Sequence, residues 1–223
     1  MKILALDTST EYCSLALWLD GEMLARELLA GQRHSELILP LLQEMLEEAG
    51  LTLAQLNGIA FGAGPGSFTG LRIACGVAQG LAFGANLPVL GICTLEALAQ
   101  QTGDDSVIAA LDARMGEIYH AAYTKSADGW QVVSEPSLCP PQQAPLLPGD
   151  NWTGCGGGFA KYDEVLRSRY HGCIGRIAGN LSPRAQEVAQ LAAPSFAGGL
   201  GIDPADAAPL YIRNKVALKE AER

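Results

Sequence analysis

Three apolar runs open the chain, Lys2 to Asp7, Cys13 to Leu19 and Met23 to Leu29, and they predict three successive antiparallel strands. Asp20-Gly21 between the last two is a two-residue hairpin signal. From Ser35 to Ala49 the period becomes helical. Leu37, Ile38, Leu39, Leu41, Leu42, Met45, Leu46 and Ala49 oppose Gln43 and a row of glutamates, Pro40 sits in the first turns, and Gly50 stands past the end as a C-cap. On a helical wheel the apolar arc is roughly 200° wide, about twice the stripe that a helix lying on one sheet needs. Either a partner or a wider internal core covers the excess.

Gly58 to Gly62 predicts a strand, and a glycine-rich loop to Gly70 leads into a helix ending near Gly84. In that helix Gly76, Gly80 and Gly84 recur beside Ala74, Ala78 and Ala82. Glycine costs about 1 kcal/mol against alanine inside a helix, so this ridge implies close approach of another backbone. A strand from Leu87 to Ile92 and a short helix from Leu95 to Gln101, with Thr94 as N-cap, complete the first half. Gly103-Asp104-Asp105 marks a boundary, which divides the chain into residues 1–104 and 105–223. Strand patterns then restart at Val107 to Leu111, Glu117 to Thr124 and Trp130 to Val133. A proline-rich loop from Pro136, a strand at Trp152 to Cys155, a helix near Tyr162 to Tyr170 and an alanine-rich helix opened by Ser182-Pro183 follow. The charged tail after Arg213 is expected to fray. The order is that of an α/β fold in two lobes, one ribonuclease-H-like unit used twice, on the plan of actin, Hsp70 and the sugar kinases.

Composition narrows the chemistry. The net charge is −9 over 223 residues, and residues 1–110 carry four basic against twelve acidic side chains. A lobe of that sign is a poor autonomous binder of nucleic acid, so RNA or DNA would be reached only through a basic partner. The six cysteines form no close pair, which argues for reduced thiols in a cytoplasmic chain. Gln79, Asn86 and Pro88 interrupt the one long apolar stretch, so no membrane span is expected.

Two loops suit an anion. Asp7-Thr8-Ser9 places hydroxyls and backbone N–H groups at a strand end, and Gly64, Gly66 and Thr69 lie where a glycine-rich loop enters a helix N-terminus. Arg72 is within reach of the same loop. Each loop is also compatible with plain turn geometry, and neither matches a P-loop or a dinucleotide fingerprint. Asp7 and Asp112, on the first strand of each half, would be the acidic pair of an actin-like cleft. His34, His120 and His171 share no helix-turn spacing, and no nucleophile elbow is present, so no zinc or serine-hydrolase chemistry is expected. His34, just ahead of a helix, reads as a cap or surface residue.

The segments Ile3 to Thr10, Arg33 to Glu36, Gly64-Pro65-Gly66-Ser67-Phe68-Thr69-Gly70-Leu71-Arg72, Thr94 to Leu98 and Tyr211-Ile212-Arg213 together resemble the bacterial TsaB (YeaZ) family of tRNA threonylcarbamoyladenosine (t6A) biosynthesis proteins. The glycine-rich block is the most specific of these. The resemblance implies a two-lobed ASKHA-type protein without catalytic residues of its own, assisting the catalytic paralogue TsaD together with the ATPase TsaE. TsaD transfers threonylcarbamoyl to N6 of the adenosine 3′ of the anticodon. Its two metal-binding histidines have no counterpart in Gly91 to Leu98, so no metal is expected, and the family's older glycoprotease label loses its support.

The resemblance also implies that the first two helices pack on their counterparts in TsaD, or in a second copy when the protein is alone. The side chains expected there are Leu37, Ile38, Leu41, Leu42 and Met45 on one helix and Ala74, Val77, Ala78 and Leu81 on the other. ATP or ADP would bind weakly or at a partner interface. The alternative is an actin-like ATPase or phosphotransferase acting on its own through Asp7, Thr8, Ser9 and the glycine-rich loop. On the docking reading, Ala78→Glu blocks association with TsaD and leaves the lobe folded.

Overall fold

A computed structural model describes residues 1–213, so the tail expected to fray lies outside the described residues. The first sheet comprises β1 (Lys2–Asp7), β2 (Tyr12–Leu19), β3 (Glu22–Leu29), β4 (Gly58–Gly64) and β5 (Val89–Cys93), in the order β3-β2-β1-β4-β5. The second comprises β6 (Ser106–Arg114), β7 (Glu117–Ser126), β8 (Gly129–Cys139), β9 (Trp152–Cys155) and β10 (Ile174–Ala178), in the order β8-β7-β6-β9-β10. Strand for strand the order repeats, so the chain is a duplicated α/β fold of the ribonuclease-H-like, two-lobed kind. The β2–β3 hairpin turns at Asp20 and Gly21, both with positive φ, and pairs Leu19 with Glu22.

Helices α1 (His34–Ala49) and α2 (Phe68–Ala85) lie side by side on one face of the first sheet, over Leu4, Leu6, Leu15 and Leu17. Gly50 and Asn86 end them in the left-handed conformation. The central strand β1 is buried on both faces, as the neighbour of a parallel strand must be. Its other face, with Ile3 and Ala5, carries α6 (Ala185–Ala197), whose Ala185, Val188, Ala189 and Ala192 settle on it. Conversely α3 (Thr94–Thr102) packs Leu95, Leu98 and Ala99 on Val107, Ala109 and Tyr123 of the second sheet. The short helices α4 (Gly157–Lys161) and α5 (Asp163–Arg169) complete the second lobe.

The sheets therefore respect the boundary near residue 104, whereas the helices do not. Each half of the chain lends one helix to the other half's sheet, and residues 185–210 return to the first lobe. The two lent helices meet through Gln100 and Gln190, whose side chains hydrogen-bond at 2.9 Å, and the Trp130 indole N–H donates to Gln100 at 2.9 Å.

Several local expectations are corrected. β8 runs on through Pro136 to Cys139 because it is an edge strand, and its ladder shifts register between Ser134 and Ser137, where a missing N–H costs nothing. β10 is an additional strand. Thr94 is the first residue of α3, not its cap, and its hydroxyl donates to the Pro65 carbonyl. α6 begins at Ala185, three residues after Ser182. Its first N–H is satisfied from another element, donating to the buried Ser14 hydroxyl of β2 at 2.9 Å.

Replacing that remote cap should be felt. Ser14→Ala leaves the Ala185 N–H buried without a partner and is expected to lower stability by about 1 kcal/mol. Urea unfolding checks this, and an unchanged midpoint would show that the bond contributes nothing.

Candidate functional site

β1 ends in a tight side-chain turn. Asp7 Oδ1 accepts the Ser9 backbone N–H at 2.9 Å and the Ser9 hydroxyl at 2.8 Å. The loop after β4 then closes over this turn. The Thr8 hydroxyl donates to the Gly70 carbonyl at 2.7 Å, and the Ser67 N–H donates to the Ser9 carbonyl at 2.8 Å. The approach is so close that a Cβ on Gly70 would lie 1.8 Å from the Thr8 oxygen, and one on Gly66 would lie 2.7 Å from the Ser9 oxygen. Only glycine fits at either place.

This interlock changes the meaning of the two anion loops. Asp7, Thr8 and Ser9 are buried, and both hydroxyls bond inside the protein. Gly64, with φ of +122°, faces the Leu210 carbonyl, and Gly66 faces Ser9. Among the six residues expected to hold phosphate, Thr69 alone is classed as exposed. The loops come together as expected, and their hydroxyls and backbone hold each other. His34 is likewise corrected. It is buried at the start of α1, and its Nε2 lies 2.9 Å from the Thr10 carbonyl and 3.2 Å from that of Tyr12, fixing the helix to the β1–β2 connection.

The two aspartates of the imagined cleft differ in state. Burial pushes the Asp7 carboxyl up to about 6, against the two Ser9 hydrogen bonds, with Glu27 adding to the rise. Its Oδ2 has no hydrogen-bond partner and lies over Gly62, where a Cβ would be 1.8 Å away. Asp112 is partly exposed. Burial pushes it up, but the Lys161 ammonium at 2.9 Å, the Arg114 N–H and both cations outweigh that and hold it below the usual range.

The second candidate surface is formed by the outer sides of α1 and α2. Of the nine side chains expected to meet a partner, six are sealed against their own sheet: Ile38, Leu41, Leu42, Met45, Ala74 and Ala78. Leu37, Val77 and Leu81 are partly exposed. The expected outcome of Ala78→Glu is corrected accordingly, because Ala78 is 0% exposed and a buried carboxylate there would unfold the lobe. What α2 turns outward is the glycine row. A Cβ built on Gly76, Gly80 or Gly84 meets no atom within 4 Å. Next to this bare backbone stands Phe83 at 81% exposure, and on α1 Leu39 is 50% exposed. From Ile73 to Ala85 α2 carries no charged residue. Glycines on a helix surface lower helix stability, and the open side of this row leaves room for close approach of another backbone. The signal for this face was in the sequence, in the glycines and not in the larger apolar residues.

The family profile of TsaD, tRNA N6-adenosine threonylcarbamoyltransferase, matches residues 28–152. The chain is 39% identical to the tRNA threonylcarbamoyladenosine biosynthesis protein TsaB of Escherichia coli, over 99% of this chain and 98% of that one. Against the TsaB of Haemophilus influenzae the figures are 38%, 99% and 97%. The solved structure of YeaZ from Pseudomonas aeruginosa superposes with a TM-score of 0.87 at 38% identity, covering 94% of this chain and 99% of that one.

The buried carboxyl gives a pH test. Asp7 ionises near its ordinary 3.8 in the unfolded chain and near 6 in the native protein. The native state therefore holds the extra proton between these values, and stability is lost as pH rises through 6, by about 3 kcal/mol in all. Burial holds His120 down near 4, and it contributes the opposite slope over nearly the same range. The difference between Asp7→Asn and wild type isolates the carboxyl. Urea titrations should show the variant gaining relative stability from pH 4 to pH 7, and a pH-independent difference would contradict the assignment.

Proposed function

The chain belongs to the TsaB family of tRNA threonylcarbamoyladenosine biosynthesis proteins, and from that premise we propose that it serves t6A formation as a docking subunit without catalysis of its own. Its partner is a TsaD-type paralogue, which carries out threonylcarbamoyl transfer to the tRNA adenosine in the cytoplasm. A TsaE-type ATPase is the third component, and tRNA is contacted only through the complex. Alone, the protein pairs with a second copy through the same face, because a shared fold makes the two surfaces equivalent.

The observation that carries this reading is the open glycine row of α2. Gly76, Gly80 and Gly84 leave room for a helix of the partner to come to backbone distance, while the neighbouring Phe83 adds exposed apolar area and Leu39 on α1 offers more. The exposed glutamates of α1, Glu44 and Glu47 among them, offer carboxylates to basic groups at the rim. The alternative reading, a nucleotide enzyme acting alone, needs free donors on the Asp7–Ser9 turn, and those hydroxyls are bonded inside the protein. Among the described residues no helix is long and apolar enough to cross a membrane.

Two substitutions at one glycine separate docking from folding. Gly80→Ala places a methyl group in open space and improves helix propensity, so the isolated protein should gain about 0.5–1 kcal/mol in urea unfolding while its affinity for the paralogue falls. Gly80→Arg should abolish co-purification with the paralogue at an unchanged circular dichroism spectrum. Full retention of the partner by both variants would refute docking through this face, and micromolar ATP binding with hydrolysis by the pure protein would favour the enzyme instead.

A further inference from the structure

Residues 204–213 cross from one lobe to the other along the flank of α2. The Gln79 side-chain amide donates to the carbonyls of Pro204 at 3.0 Å and Ala207 at 3.1 Å. The Leu210 N–H donates to the Ala63 carbonyl at 2.7 Å, at the end of β4. The next residue, Tyr211, packs its ring 5.7 Å from that of Phe68, and its hydroxyl accepts from Arg72 Nε at 2.9 Å. The Arg72 guanidinium lies over the Phe68 ring at 3.8 Å.

Two residues later the chain is anchored in the other lobe. Arg213 Nη2 donates to the Ala113 carbonyl at 3.0 Å and to Glu117 Oε2 at 2.7 Å, on either side of the β6–β7 turn. In that turn Arg114, Met115 and Gly116 all have positive φ. The Arg213 side chain is only 14% exposed, so its ion pair is partly shielded from water.

We propose that Ala207–Arg213 is a strap that limits separation of the two lobes and holds the first turn of α2 to the β6–β7 turn. The chain has little slack to give. Two residues lie between the Leu210 and Arg213 anchors, and the three steps of chain, fully extended, span at most about 11 Å. Any hinge opening at this end of the molecule must therefore release either the aromatic and arginine stack on α2 or the Arg213 bonds. This inference stands whether or not α2 is the docking face.

Hydrogen exchange on the full-length protein tests it. Arg213→Ala is expected to speed exchange of amides 113–117 about tenfold and to leave the central strand β1 unchanged. Tyr211→Ala is the decisive variant, because Tyr211 is 43% exposed and its mapped contacts, Phe68 and Arg72, both lie on α2. A strap under Tyr211 transmits its loss, so amides 113–117 should accelerate in this variant too. Acceleration confined to residues 63–72, or wild-type exchange at 113–117 in both variants, would overturn the proposal.

Discussion

The contact between the first turn of α2 and the turn that ends β1 decides most of what this molecule is. With no Cβ at Gly66 or Gly70, the loop after β4 descends until backbone meets backbone, and the hydroxyls that a phosphate site would present are engaged internally. The same descent fixes the rotation of α2 about its axis. Leu71, Ala74, Ala78 and Ala82 then face the sheet, Arg72, Cys75 and Gln79 face the returning C-terminal segment, and the glycine row is left outward. One close approach engages the hydroxyls of the Asp7–Ser9 turn and leaves the glycine row of α2 open.

The exchange of helices between the halves gives this arrangement its stiffness. α6 covers the inner face of the first sheet with alanines, which let it lie close, and α3 does the corresponding work on the second sheet with leucines. The two lobes are thus joined through a packed helix pair and not through a single linker. Asp7 lies beneath this layer, which explains why its carboxyl is dry and raised whereas Asp112, at the matching place in the other lobe, stays wet and paired with Lys161.

Much of this was legible in the chain itself. The duplicated order of strands, the Asp20-Gly21 turn, the helix ends at Gly50 and near Gly84, and the break at Gly103 follow from period and turn chemistry, which are local properties. What was not legible depended on contacts between distant segments. An apolar arc on α1 says how much surface is covered but not by what. Ile38, Leu41, Leu42 and Met45 form an ordinary stripe covered by the sheet and by α2, and the excess width of the arc comes from Leu39, half exposed, and from Leu37 and Leu46, partly exposed. On α2 alanines and glycines alternate in neighbouring rows, and residues this small give too little hydrophobic contrast to tell the buried row from the open one. Pro136 misled because an edge strand tolerates proline. The cap of α6 is supplied by Ser14, 171 residues earlier in the chain, where no local pattern reveals it.

The central claim is that the bare side of α2 is a surface for a fold-related protein. Its most direct measurement is an experimental structure of this chain bound to a TsaD-type paralogue, read for the solvent exposure of Gly76, Gly80, Gly84 and Phe83. The account predicts that all four become buried under a partner helix while Thr8 and Ser9 keep their internal bonds. A complex in which that row stays open to water and the partner sits on the second lobe would contradict it.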